Sequence, residues 1–182
     1  MNKLEFEQSE VFPANYTVID IETTGLSCDT CEIIELSAIK VRDYQVVDNF
    51  SSLVKPNSRI NSFITSLTGI SNEMVKNAQP ITSVLPSFVK FISEDILLGH
   101  NVSFDMRFIQ YNLERYFKQS LANKSIDTMR ISRKYNKMLK SHKLELLANH
   151  YNVSTKGHHR ALNDCMMTNE IYLNMKNQYA NL

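Results

Sequence analysis

The run Tyr16-Thr17-Val18-Ile19-Asp20-Ile21-Glu22 is β-branched and apolar until two acids appear at its end. Such a run reads as a buried strand. Side chains alternate across a strand, so Asp20 and Glu22 leave the same face, at the C-terminal end. Thr23-Thr24-Gly25 then breaks the pattern.

Two further segments carry acids of the same kind. Asp105 closes G-H-N-V-S-F-D (99–105), and His159 with Asp164 bounds H-R-A-L-N-D (159–164). Four acids cannot share one pocket as bare anions, because like charges at close range raise each other's pKa. Hard Mg²⁺ or Mn²⁺ is the ready neutraliser, since such ions prefer carboxylate oxygens and share their shell with water and phosphates. On one continuous helix the five-residue step from His159 to Asp164 would set them ~140° apart. The spacing therefore predicts His159 in a loop behind Lys156-Gly157 and Asp164 inside the helix that follows. A mobile loop suits a group that moves a proton, and a rigid helix suits a metal ligand. Histidine, with an ordinary pKa of about 6.5, is the natural general base.

The remaining pattern predicts an α/β fold. Glu32–Arg42 and Gln45–Val54 read as strands joined by a tight turn near Asp43-Tyr44, and Asp95–His100 and Ser125–Asp127 as two more, for about five in all. Short helices are expected over Ile60–Leu67 and Asn72–Asn77, and a longer one over Ile81–Ser93, with Pro86 near its first turn, where proline is tolerated. Met106, Ile109, Leu113 and Tyr116 recur at helical spacing, with Asp105 in the first turn, and helices follow near 128–138, 143–150 and 161–178. Three strands followed by alternating helix and strand argue a mixed sheet flanked by helices. Residues 1–15 read as a loose lead-in. At 182 residues the whole chain, 1–182, fits one domain with a sizeable core.

Composition narrows the partners. A net charge of +1 advertises no global basic field, so any polyanion must be held locally. No stretch is long and apolar enough to span a membrane. The acidic start, M-N-K-L-E-F-E-Q-S-E, lacks the apolar core of a signal peptide. Three cysteines make no disulfide framework, and a cytoplasmic setting is expected. Cys28-Asp29-Thr30-Cys31 could be half a zinc site or a redox pair, but no second such pair exists, and two ordinary loop cysteines is the plainer reading.

D-I-E-T-T-G, G-H-N-V-S-F-D and H-R-A-L-N-D, in this order, resemble the three motifs of the DEDDh (DnaQ-like) 3′→5′ exonucleases. That family includes the proofreading subunit and PolC-type proofreading domains of bacterial DNA polymerase III. L-T-G-I-S (67–71) and Ile126-Asp127-Thr128 with S-H-K-L-E-L-L-A (141–148) add to the likeness, which runs from about Tyr16 to about Tyr172. It implies a ribonuclease H-like fold and phosphodiester hydrolysis with two divalent ions, Mg²⁺ or Mn²⁺. Asp20, Glu22 and Asp164 would hold one ion, Asp20 would touch the second, and Asp105 would support it directly or through water. His159 would be the base. His158 is its adjacent competitor, but only His159 keeps the H-x-x-x-x-D spacing and the H-R-A continuation.

The resemblance also implies a substrate path. Thr23, Thr24 and Gly25 would bring backbone N–H groups to the terminal nucleotide. Leu26 and Ile70 would pack on its base, and His100, Asn101 and Phe104 would line the way for the next one, with Phe104 free to stack. Arg130, Arg133, Lys134, Lys137, Lys140 and Lys143 form a run without an acid, either a solvated face or a contact for phosphates. The expected substrate is single-stranded DNA or a frayed 3′ end, with nucleoside 5′-monophosphates released. An RNA-directed enzyme of the oligoribonuclease or ribonuclease T kind, and a catalytically silent binding module, are the alternatives. A DNA polymerase is a possible partner. The chain has no long tail of the kind that tethers a proofreading subunit, so free-standing enzyme, cut-out domain and surface-docked subunit all stay open.

Overall fold

The strand predicted from Tyr16 onward is the centre of the sheet. In the computed structural model, which describes residues 12–179, β1 (Tyr16–Thr23) pairs antiparallel with β2 (Ile33–Arg42), and β2 with β3 (Gln45–Lys55). The turn between β2 and β3 sets Asp43 and Tyr44 at φ 49° and 62°, the left-handed pair that matches strand twist in tight hairpins. Then come α1 (Ser62–Thr68), α2 (Asn72–Val75), β4 (Gln79–Pro80) and α3 (Ile81–Ile92). The chain continues through β5 (Leu97–Gly99), α4 (Ser103–Phe117), β6 (Ser125–Asp127), α5 (Thr128–Tyr135), α6 (Leu144–His150) and α7 (Ala161–Tyr179). The sheet has six strands in the order β4-β3-β2-β1-β5-β6, with β5 parallel to β1 and β6. The sixth, β4, is two residues long and carries a proline, too short for any alternation to announce it.

Alternation along β1 sorts the core. Tyr16 and Val18 join Ile39, Val41, Leu98, Ile171, Tyr172 and Met175 in a cluster under α7, while Ile19 and Ile21 join Leu36, Leu97, Phe88, Met106 and Ile109 under α3 and α4. Asp20 and Glu22 continue the parity of Tyr16 and Val18, so they face α7. Ile70, Ile34, Ile60, Ile64 and Val75 form a third, smaller cluster.

Three details differ from expectation. Pro86 is the sixth residue of α3, beyond the first turn, where it deprives the Thr82 carbonyl of its helical donor. The fourth expected strand shrinks to Leu97–Gly99, because Asp95 turns away to accept from Thr17 Oγ1 and the Arg42 guanidinium. The end of the lead-in is anchored: Phe12 is buried against Tyr172, whose hydroxyl donates to the Pro13 carbonyl at 3.0 Å. Residues 1–11 lie outside the described residues. Among the described residues no helix is long and apolar enough to cross a membrane.

Candidate active site

Strand parity delivers two of the acids and helix α7 the third. Asp20, Glu22 and Asp164 each offer a carboxylate oxygen, all within 4.8 Å of one another, at the C-terminal end of β1. Asp20 and Glu22 are half-buried, and Asp164 is buried. Asp105 arrives differently. Strand β5 pairs with β1 only at Thr17 and Val18, so it stops short of the Ile21 N–H. Asp105, in the first turn of α4, takes that donor at 3.1 Å and pins α4 to the strand that carries the other acids. It stands outside the 4.8 Å group.

The electrostatics are those of an overloaded site. Burial, then the charges of Asp105, Asp164, Glu22 and Glu35, push Asp20 well above the usual carboxylate range. Burial and the neighbouring acids bring Glu22 up to about 8, with Arg160 opposing. Burial brings Asp105 up to about 8, against the N–H groups that stabilise its anion. Asp164 is raised by burial and held back by His158. At about 5 Å and an effective dielectric of about 20, each like-charged pair repels by roughly 3 kcal/mol. A divalent cation relieves that repulsion, and clustered hard oxygens are what Mg²⁺ or Mn²⁺ takes. The donor set therefore fits the ions expected from sequence.

The loop before α7 holds both histidines. His158 Nδ1 lies 2.7 Å from Asp164 Oδ1, and the His159 backbone N–H donates to Oδ2 at 3.1 Å. The two rings stack at 3.8 Å, and His159 sits at φ 68°, the left-handed region. His158, His159 and Asp164 form a second trio of possible ligands within 4.8 Å. Burial, and then the neighbouring His158, hold the His159 imidazole below its ordinary pKa, so it is neutral near pH 7 and can accept a proton.

Of the expected substrate contacts, Leu26 is 86% exposed at the tip of the loop after β1, free to meet a base. Thr23 Oγ1 donates to the Gly25 carbonyl at 2.6 Å, and Thr24 pairs with Glu32 through both its N–H and its hydroxyl. The Thr24 amide expected to face a nucleotide is thus engaged with the Glu32 carbonyl. Gly25 has a packing reason of its own, since a Cβ there would lie 2.6 Å from Cys31 Sγ. Ile70 is fully buried in the third cluster, so its side chain cannot pack on a base as expected; Thr68 Oγ1 fixes its N–H from within. Phe104 is half-buried beside Phe108 at 5.0 Å. Asn101 is exposed at φ 61°, its N–H held by Asp127. His100 binds Thr128 Oγ1 through Nδ1, and burial lowers it to about 4. All six basic residues from Arg130 to Lys143 are exposed. Cys28 and Cys31 are unpaired and pack against the α4 cluster.

The sequence matches the Exonuclease (RNase T) family over residues 17–172. The chain belongs to that family. This exonuclease chain is 40% identical over 169 residues to "DNA polymerase III PolC-type" of Caldanaerobacter subterraneus subsp. tengcongensis, covering 93% of the chain and 12% of that protein. It thus spans only about an eighth of the length of the curated relative it matches. Its fold is shared with Exonuclease X in complex with 5′ overhanging duplex DNA (TM-score 0.70, 24% identity, 90% of this chain and 92% of that one). It is also shared with the nuclease domain of 3′hExo, a DEDDh family member, bound to rAMP (TM-score 0.79, 23% identity, 96% and 97%). The expected family and mixed α/β fold are borne out.

Reading the sequence missed Glu35 and Arg160. Glu35 is 2% exposed on β2, directly opposite Glu22, and binds Arg160 and the Ala161 N–H. Its signal was available: it is the one acid inside the otherwise uncharged run Ile33–Ile39.

Proposed function

We propose that this exonuclease removes nucleotides in the 3′→5′ direction from single-stranded or frayed DNA and releases nucleoside 5′-monophosphates. The observation that carries the reading is the convergence of Asp20, Glu22 and Asp164 on one point beside the loop that bears His159. Asp20, Glu22 and Asp164, with Asp105 behind them, would hold Mg²⁺ or Mn²⁺. Such ions neutralise the developing phosphorane charge and acidify water. His159 takes the proton from the attacking water. Asp105 keeps α4 and β1 in register so the acids stay aimed. Exposed Leu26 and the Gly25 turn receive the terminal nucleotide, and half-buried Phe104 and exposed Asn101 border the next one. The exposed cations from Arg130 to Lys143 contact phosphates of the incoming strand.

DNA is favoured over RNA because the 40% identity to a DNA polymerase III spans 93% of this chain. The same relationship supports a proofreading or repair role beside a polymerase, and on this reading residues 1–182 act as one domain in the cytoplasm. Digestion of matched, 3′-labelled DNA and RNA oligomers with Mg²⁺ and with Mn²⁺ tests it. Faster loss of the DNA label is expected, with label released as mononucleotide. Faster cleavage of RNA, or release from a 5′ label first, overturns it.

A further inference from the structure

Glu35, 2% exposed on β2 and directly opposite Glu22, places a fifth acidic side chain beside a site already crowded with acids. A buried carboxylate used only for packing would be better replaced by a neutral side chain. Its partners show what it does instead. Arg160 Nη2 donates to Oε1 at 2.8 Å, Arg160 Nε approaches Oε2 at 3.3 Å, and the Ala161 N–H donates to Oε2 at 3.0 Å. Ala161 opens α7, and its amide is among those a helix start leaves without an internal partner. Arg160 is the residue between His159 and that helix. The Asp164 N–H in turn donates to the Arg160 carbonyl at 3.1 Å. On the other side, Glu35 is registered directly against Glu22. One carboxylate therefore joins the strand bearing two acids to the loop bearing the histidines and the helix bearing Asp164. The His159 backbone at φ 68° needs such an anchor, because a residue with a Cβ leaves the left-handed region unless its neighbours hold it there.

We infer that the Glu35–Arg160 pair is a positioning device that sets His159 against the carboxylate cluster, so that it governs proton transfer and not the holding of the acids. The inference rests on His159 being the base. Arg160 forks onto Glu35, and lysine cannot reproduce that fork.

The test is a double-mutant cycle on the full chain with a 3′-labelled single-stranded DNA, at saturating Mg²⁺. Glu35→Gln keeps the acceptor for Ala161 and removes the charge. It should lower kcat by roughly 10–100-fold, the usual effect of misplacing a reacting group by a fraction of an ångström to an ångström. The half-saturating Mg²⁺ concentration should stay within about threefold. In a His159→Ala background the same substitution should cost less than about threefold, because there is no base left to misplace. Arg160→Lys should recover only part of what Arg160→Ala loses. Equal losses in both backgrounds, or a loss traced to weaker Mg²⁺ binding, overturn the positioning role alone. A His159→Ala variant as active as the wild type overturns the base assignment and this inference with it. If Glu35→Gln is unfolded at the assay temperature, Arg160→Ala, at a side chain 42% exposed, completes the same cycle with the same expectations.

Discussion

His158, and not His159, presents its ring to Asp164, with Nδ1 2.7 Å from Oδ1, while His159 reaches the same carboxylate through its backbone N–H. On the proposed mechanism the two histidines divide the loop's work: His158 would occupy a ligand oxygen that a cation must win, and His159 would keep its ring nitrogens for the attacking water. His159→Ala should lower kcat by roughly 10²–10⁴-fold, the usual worth of a general base. His158→Ala should cost far less and should lower the Mg²⁺ concentration needed for half-maximal rate. Purified variants and one labelled oligonucleotide decide it. A dead His158→Ala beside a nearly normal His159→Ala would reverse the two roles.

Chelation should abolish activity, and Mg²⁺ or Mn²⁺ should restore it. Ca²⁺ should compete for the carboxylates without supporting efficient turnover, because its larger, looser shell does not hold the tight geometry. Rates measured across the three ions after dialysis against EDTA check this. Full activity in excess EDTA would remove the cation from the chemistry.

Stability should fall with pH in the cation-free protein. Glu22 and Asp105 sit at about 8 when folded, above their unfolded values, so the folded state holds their protons more tightly. That stability is present at low pH and lost as pH rises through about 8. His100 and His159 are lowered and act in the opposite sense, but only below roughly 6.5, the unfolded histidine value. Between about pH 6.5 and 8.5 the acids set the slope. Thermal melts in EDTA should therefore drop across that window, and saturating Mg²⁺ should flatten the trend. Asp20→Asn, at a position raised by burial and four neighbouring acids, should melt higher than wild type in EDTA at pH 8 yet be inactive. A lower melting temperature would mean Asp20 is a structural residue.

Gly99 sets the distance between β5 and the strand of the acids. A Cβ there would lie 2.7 Å from Val102 Cγ2 and 3.3 Å from the Ile19 carbonyl oxygen. Gly99→Ala should cost about 1–3 kcal/mol, the range for overpacking a filled site. Urea unfolding measures it, and a midpoint equal to wild type would show that Val102 can yield.

Much of this molecule was determined along the chain itself. Period-two alternation put Asp20 and Glu22 on one face of a buried strand, because side chains two apart leave the pleat on the same side and Val18, Ile19 and Ile21 mark the run as strand. The spacing of His159 and Asp164 separated loop from helix for an equally local reason. The tertiary structure decided what those faces meet. It turned His158 toward Asp164, sent Ile70 into a core where sequence had placed it on a substrate, and added a two-residue strand too short to show a period. It also carried Arg160 across 125 positions to Glu35. Local patterns report which way a side chain points, whereas its partner depends on how strands and helices from distant segments close over one another.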